Sequence, residues 1–121
     1  MKARILIIDD EPKWMQFARD NLGMAFEVEV AADLATALAK LKENRYDLII
    51  ASSRRLDVLE AIRRAYPEKR MVVATGQPTT REAINMYRLG ALDYFAKDFR
   101  REVVSQKIRE AIQKPVKTPA L

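Results

Sequence analysis

Arg4-Ile5-Leu6-Ile7-Ile8-Asp9-Asp10-Glu11-Pro12 is the stretch whose reading decides the fold. Four consecutive apolar residues, three of them Ile, are too few for a helix to be the economical reading. They suit a strand buried on both faces, as in a parallel sheet covered by helices. The run stops in three carboxylates, Asp9, Asp10 and Glu11, followed by Pro12, a residue tolerated in the first turn of a helix. Ligands of open parallel sheets gather at the carboxyl ends of strands. Carboxylates crowded there repel unless a hard cation or a lysine neutralises them. The plainer reading is a helix start with acidic residues near the positive end of its dipole.

Outward from this stretch, the apolar spacing sets the other elements. Trp14, Phe17, Ala18 and Leu22 follow a helical period that Gly23 can stop, with Trp14 as a core anchor. Phe26–Ala31 alternates apolar and acidic residues, which suits a strand nearer the sheet edge. Asp33 can cap a helix presenting Leu34, Ala37, Leu38 and Leu41. Tyr46–Ala51 reads as a second buried strand running into the polar loop Ser52-Ser53-Arg54-Arg55. Asp57 is expected to cap a short helix carrying Leu59, Ile62 and Ala65, which ends before Pro67. Arg70–Thr75 is a third buried strand. Thr79 and Glu82 form a capping box for a helix that Gly90 ends. Ala91–Ala96 is a short strand with Lys97 at its carboxyl end. A last helix spans about Arg100 to Gln113, with Val103, Val104, Ile108 and Ile112 facing inward.

Five strands alternating with five helices imply an α/β fold, a doubly wound parallel sheet between two helical layers. One domain over residues 1–114 accounts for the pattern, and 115–121, with two prolines, reads as a linker or frayed tail.

Composition narrows the chemistry. The chain has Cys 0 and His 0, so disulfides, thiolate nucleophiles, imidazole catalysis and histidine metal ligands are all excluded. No apolar run approaches a membrane span and no signal peptide is visible, so a cytoplasmic protein is expected. Residues 1–53 carry 7 basic against 9 acidic side chains, and residues 54–121 carry 15 against 8. The basic half reads as a solvated helical surface, since no nucleic-acid-reading motif accompanies it. No direct contact with nucleic acid is expected.

With Arg4–Asp9 as the central strand, the strand ends converge on one pocket. It collects Asp9 and Asp10 from the first strand, Ser52 from the third, Thr75 from the fourth and Lys97 from the fifth. Asp9-Asp10-Glu11-Pro12, Tyr46-Asp47-Leu48-Ile49-Ile50, Thr75 and Gly90-Ala91-Leu92-Asp93-Tyr94-Phe95-Ala96-Lys97 occur in order and at fixed separations. In these motifs, and over nearly its whole length, the chain resembles the CheY-like receiver domains of two-component response regulators. The resemblance implies a flavodoxin-like (βα)5 sandwich with strand order 2-1-3-4-5. It implies an aspartyl phosphate switch in which the acid pair holds Mg²⁺, Asp10 directly and Asp9 largely through water. Thr75 would then bond a phosphoryl oxygen, Lys97 would pair with the phosphate, and Tyr94 would be the aromatic that moves with Thr75.

The departures lie on one side of this pocket. Counting from Asp47, the family's phosphoacceptor aspartate falls on Ser52. A serine hydroxyl lacks carboxylate nucleophilicity, and no adjacent base activates it. The loop beyond is shorter than the family pattern by about two residues, and holds Arg54 and Arg55. The proline expected after the lysine is Asp98, so a trans peptide and a repositioned Lys97 are expected. With one carboxylate fewer, Mg²⁺ binding at Asp9 and Asp10 is expected to be weak. Arg54 or Arg55 can pair with the acid pair as an internal cation, or both can face solvent. Asp57, as a helix cap, is a poor substitute acceptor.

The expected function is an atypical receiver, a pseudo-receiver, that is not an enzyme and signals by protein–protein contact. Its partner, a protein or a second copy, would meet the fourth helix, fifth strand and fifth helix. That face includes Arg81, Arg88, Arg101, Lys107 and Arg109 with Glu82, Asp93, Glu102 and Glu110. Two other classes stay open: a phosphorylatable or Mg²⁺-binding receiver with an unorthodox acceptor, and a small-ligand module on the same fold.

Overall fold

A computed structural model describes residues 2–116. The elements alternate: β1 (Ala3–Ile8), α1 (Pro12–Asn21), β2 (Phe26–Ala31), α2 (Leu34–Glu43), β3 (Leu48–Ser52), α3 (Leu56–Ala65), β4 (Met71–Thr75), α4 (Thr80–Arg88), β5 (Tyr94–Ala96) and α5 (Arg101–Gln113). The strands form one parallel sheet in the order β2-β1-β3-β4-β5, the expected doubly wound arrangement.

The apolar run at the start of the chain is buried on both faces. Ile5 and Ile7 join Ile50, Val72 and Ala74 in a core completed by Trp14 and Phe17 of α1 and Val104 and Ile108 of α5. Leu6 and Ile8 point the other way, against Leu41 of α2, Leu59 and Ile62 of α3, and Met86 of α4. Each fully buried Leu or Ile side chain contributes about 1.5–3 kcal/mol, so β1 is anchored from above and below. Pairing of β1 with both β2 and β3, from Ile5 opposite Val28 and Leu48 onward, puts the Asp9 end of the strand beside the end of β3.

Several boundaries differ from the sequence expectation. β5 begins at Tyr94 rather than Ala91, because the Ala91 N–H still caps Met86 O at the end of α4. β3 begins at Leu48 and includes Ser52. In α5, Ser105 and Ala111 take buried places, while Val103 and Ile112 are only half-buried. Asp57 does not cap α3. The turn closed by Arg55 N–H to Ser52 O starts the helix at Leu56, leaving Asp57 inside the first turn and paired with Arg55. Asp33 caps α2 as expected, accepting from Thr36 N at 2.7 Å.

Gly90 ends α4 at φ +98°, a conformation that costs any other residue roughly 1–2 kcal/mol. A Cβ there would also strike the Arg63 side chain. Of the expected tail, 117–121 lie outside the described residues. Among the described residues no helix is long and apolar enough to cross a membrane.

Candidate functional site

The ends of β3, β4 and β5, with Glu11 ahead of α1 and the first turn of α4, line a cleft of ≈ 570 Å³. β1 delivers Asp9, whose backbone N–H bonds Ala31 O and extends the ladder by one residue. The Asp9 carboxylate turns back on the chain, Oδ1 accepting from Glu11 N–H at 3.1 Å, so Glu11 stands at the N-cap ahead of Pro12. β5 delivers Lys97, anchored by its N–H to Thr75 O at 2.7 Å.

Lys97, which lines the cleft, meets the buried Asp9 at its wall. The ammonium lies 2.9 Å from Asp9 Oδ2 and 3.0 Å from Glu11 Oε2, with the Lys97 side chain 4% exposed and that of Asp9 1%. The contact to Asp9 is ionic in character; its angles do not make a hydrogen bond, and Oδ2 has no other donor. The Trp14 ring lies 5.9 Å from the ammonium, adding a cation–π contact. Among the described residues no peptide bond is cis, and the step from Lys97 to Asp98 is trans. Lys97 nevertheless stays in the pocket. Asp98 turns outward to pair with Arg100 at 2.7 Å. That guanidinium and the Arg100 N–H hold the Asp98 carboxyl below its usual range.

Asp10 points outward from the same corner and pairs with Arg54, Nη2 to Oδ1, at 2.8 Å. The two side chains are 64% and 49% exposed, so this bridge is hydrated where the Lys97 pair is dry. Arg55 turns away to Asp57, and that bond holds the Asp57 carboxyl below its usual range. Of the two arginines offered as alternatives for the acid pair, Arg54 lies on Asp10 and Arg55 on Asp57.

Ser52, Ser53 and Thr75 are buried at the floor of the cleft. Ser52 Oγ accepts from Arg54 N–H at 3.3 Å, and Thr75 Oγ1 from Gln77 N–H at 3.2 Å. Both are turn closures, and among the described residues no basic side chain is hydrogen-bonded to Ser52 Oγ. Asp9 and Asp10 are the residues that could hold a metal. Among the described residues no three acidic side chains are gathered to do so, and both aspartates already face cations.

Tyr94 lies at the edge of the cleft, half-buried. Its hydroxyl accepts from Thr79 N–H at 3.2 Å and donates to Glu82 Oε1 at 2.5 Å. Burial pushes the Tyr94 phenol up, and the Glu82 bond pushes it further. Burial also pushes the Glu82 carboxyl up, but the hydroxyls of Tyr94, Thr75 and Ser53 outweigh it and hold the group below its usual range. Sequence reasoning assigned Glu82 to a capping box and to the outer face, and gave Glu11 and Ser53 no part in the pocket. The available signal was positional: Glu82 lies in the first turn of the helix that follows Thr75.

The comparisons agree with this architecture. The family described as response regulator receiver domain matches residues 5–109. The chain is 38% identical over 99 residues to the acid tolerance regulatory protein ActR of Rhizobium meliloti (strain 1021), covering 77% of this chain and 51% of that protein. It is 32% identical over 101 residues to the photosynthetic apparatus regulatory protein RegA of Cereibacter sphaeroides, covering 79% of this chain and 55% of that one. Among solved structures, NtrX from Brucella abortus superposes with TM-score 0.84 at 26% identity, over 93% of this chain and 27% of that one. The chain thus spans about half the length of these curated relatives. Sheet order, acid corner and family match lead to one conclusion: the chain belongs to the response regulator receiver domains of two-component signalling.

Proposed function

We propose that this is an atypical receiver, one that signals by protein–protein contact without phosphorylation of an aspartate. The observation that supports the reading is that Ser52, the position the family resemblance assigns to the acceptor carboxylate, is buried at the end of β3. A serine hydroxyl is a weak nucleophile unless a base activates it, and among the described residues no base is hydrogen-bonded to Ser52 Oγ, so it is a poor phosphoryl acceptor. The charge arrangement supports the same reading. Lys97 is committed to Asp9 and Glu11, and Arg54 lies on Asp10, so cations of the chain itself balance the acids that a metal would otherwise bridge. Mg²⁺ binding at Asp9 and Asp10 is accordingly weak, and the domain acts by contact rather than by catalysis.

The contact surface in this reading is the α4–β5–α5 face. Ile84 and Tyr87 on α4 are about half exposed, flanked by Arg81 and Arg88. Apolar residues rimmed by charge suit a partner protein or a second copy. ActR and RegA are named as regulatory proteins, and the receiver would serve a longer regulator of that kind in the cytoplasm.

Intact-mass measurement after incubation with Mg²⁺ and a small-molecule phosphodonor tests the reading, with Ser52→Asp alongside. The native chain should gain no mass. A gain only in Ser52→Asp would show that the rest of the pocket is competent. A phosphoryl gain on the native chain would overturn the proposal in favour of an unorthodox acceptor.

A further inference from the structure

Glu82 does not sit as a capping-box glutamate sits. In that motif the side chain reaches back to the N–H of the cap residue. Half of the motif is present: Thr79 Oγ1 accepts from Glu82 N–H at 3.1 Å. The other half has been replaced, because the Thr79 N–H bonds the Tyr94 hydroxyl from β5. That hydroxyl in turn donates to Glu82. The carboxylate is thereby drawn off the helix end and lines the cleft together with Ser53 and Thr75, both buried.

An ionised carboxylate accepts at two oxygens and cannot donate, so hydroxyls facing it are turned to give their protons to it. Bonds of that kind are roughly twice as strong as those between neutral groups. One negative group is therefore tied to the Tyr94 hydroxyl of β5 and through it to the start of α4, with Thr75 of β4 lining the same cleft.

We propose that Glu82 is a tethered anion of the cleft, holding Thr75, Tyr94 and the start of α4 in one arrangement with no phosphoryl group added. The inference rests on the reading of the cleft as unphosphorylated, and it supplies the regulation that such a receiver lacks. The α4 face is presented constantly, set by the chain's own carboxylate.

Backbone amide exchange on the full chain, without Mg²⁺ or phosphodonor, tests this directly. Glu82→Ala should speed exchange at Thr79, whose N–H bonds the Tyr94 hydroxyl, by roughly tenfold. It should also speed exchange at Gln77, whose N–H bonds Thr75 Oγ1. Tyr94→Phe removes one oxygen and should reproduce the Thr79 effect, and the double variant should add little to either single change. Arg81→Ala on the same helix turn should leave both amides as they were. Unchanged exchange at Gln77 and Thr79 in Glu82→Ala would overturn the proposal, even where Tyr94→Phe alone has an effect. A phosphoryl gain in the mass experiment would instead remove the unphosphorylated reading, and exchange data taken without phosphodonor keep the two failures apart.

Discussion

The ammonium of Lys97 lies 2.9 Å from the carboxylate of Asp9, and both side chains are almost entirely out of water. Breaking such a pair from one side leaves an uncompensated buried charge, which costs far more than the pair contributes when intact. Lys97→Met should lower unfolding free energy by about 3–5 kcal/mol in urea titrations. Lys97→Met combined with Asp9→Asn should recover a large part of that loss. Additive losses in the double variant would show that the two residues are not coupled.

Arg54 and Asp10 offer the contrasting case, since both are hydrated. Exposed bridges contribute about 0–1 kcal/mol, so Arg54→Ala should barely move the urea midpoint. Under the proposed function it should strengthen Mg²⁺ binding measured by calorimetry, because Asp10 loses its internal cation. Arg55→Ala should not, since Arg55 faces Asp57. Equal Mg²⁺ affinity in Arg54→Ala and the parent would refute the internal-cation idea.

Glu29 gives the fold a pH dependence on the α2 side of the sheet. The Tyr46 hydroxyl bonds it at 2.7 Å, and Arg4 and Lys40 lie beside it. The Tyr46 bond, opposed by burial and helped by the two cations, holds the Glu29 carboxyl below its usual 4.5. A depressed carboxylate contributes stability that is present above 4.5 and is lost as pH falls through the lower, folded value. Tyr46→Phe should therefore cost about 1–2 kcal/mol at neutral pH, and that gap should shrink in acid. A gap that stays constant from pH 7 to about pH 3 would assign it to packing alone.

At Gly90 the backbone angle and the neighbouring Arg63 act together. Gly90→Ala should destabilise by at least about 1–2 kcal/mol. Gly23→Ala should be close to neutral, because a Cβ there meets only Arg19 O at an ordinary 3.6 Å. Thermal melts of the two variants side by side would separate conformational strain from a general intolerance of alanine at helix ends.

How much of this was legible in the sequence depended on the range of the forces involved. The buried strands announced themselves through Ile5–Ile8 and Met71–Ala74, because burial on both faces leaves a continuous apolar signature. The meeting of Asp9 with Lys97 could be anticipated as a shared pocket, since parallel strands put the carboxyl ends of β1 and β5 on the same edge of the sheet. What failed was side-chain bookkeeping at turns. Asp57 looks like a cap until the short loop starts α3 two residues earlier, with Arg55 at the cap. Glu82 looks like half of a local motif until a hydroxyl from β5 takes the other half. A local pattern cannot register a competitor that arrives from fifteen residues away.

Trp14 turns the buried corner into something that can be watched. It is the chain's single tryptophan, it is 0% exposed, and its Nε1 has no hydrogen-bond partner. An indole so enclosed should emit at short wavelength, and the Lys97 ammonium 5.9 Å from its ring should tune that emission. Any ligand, partner or substitution that drew the ammonium aside would change colour or intensity without a label. The domain carries its own optical gauge of whether the acid corner is closed.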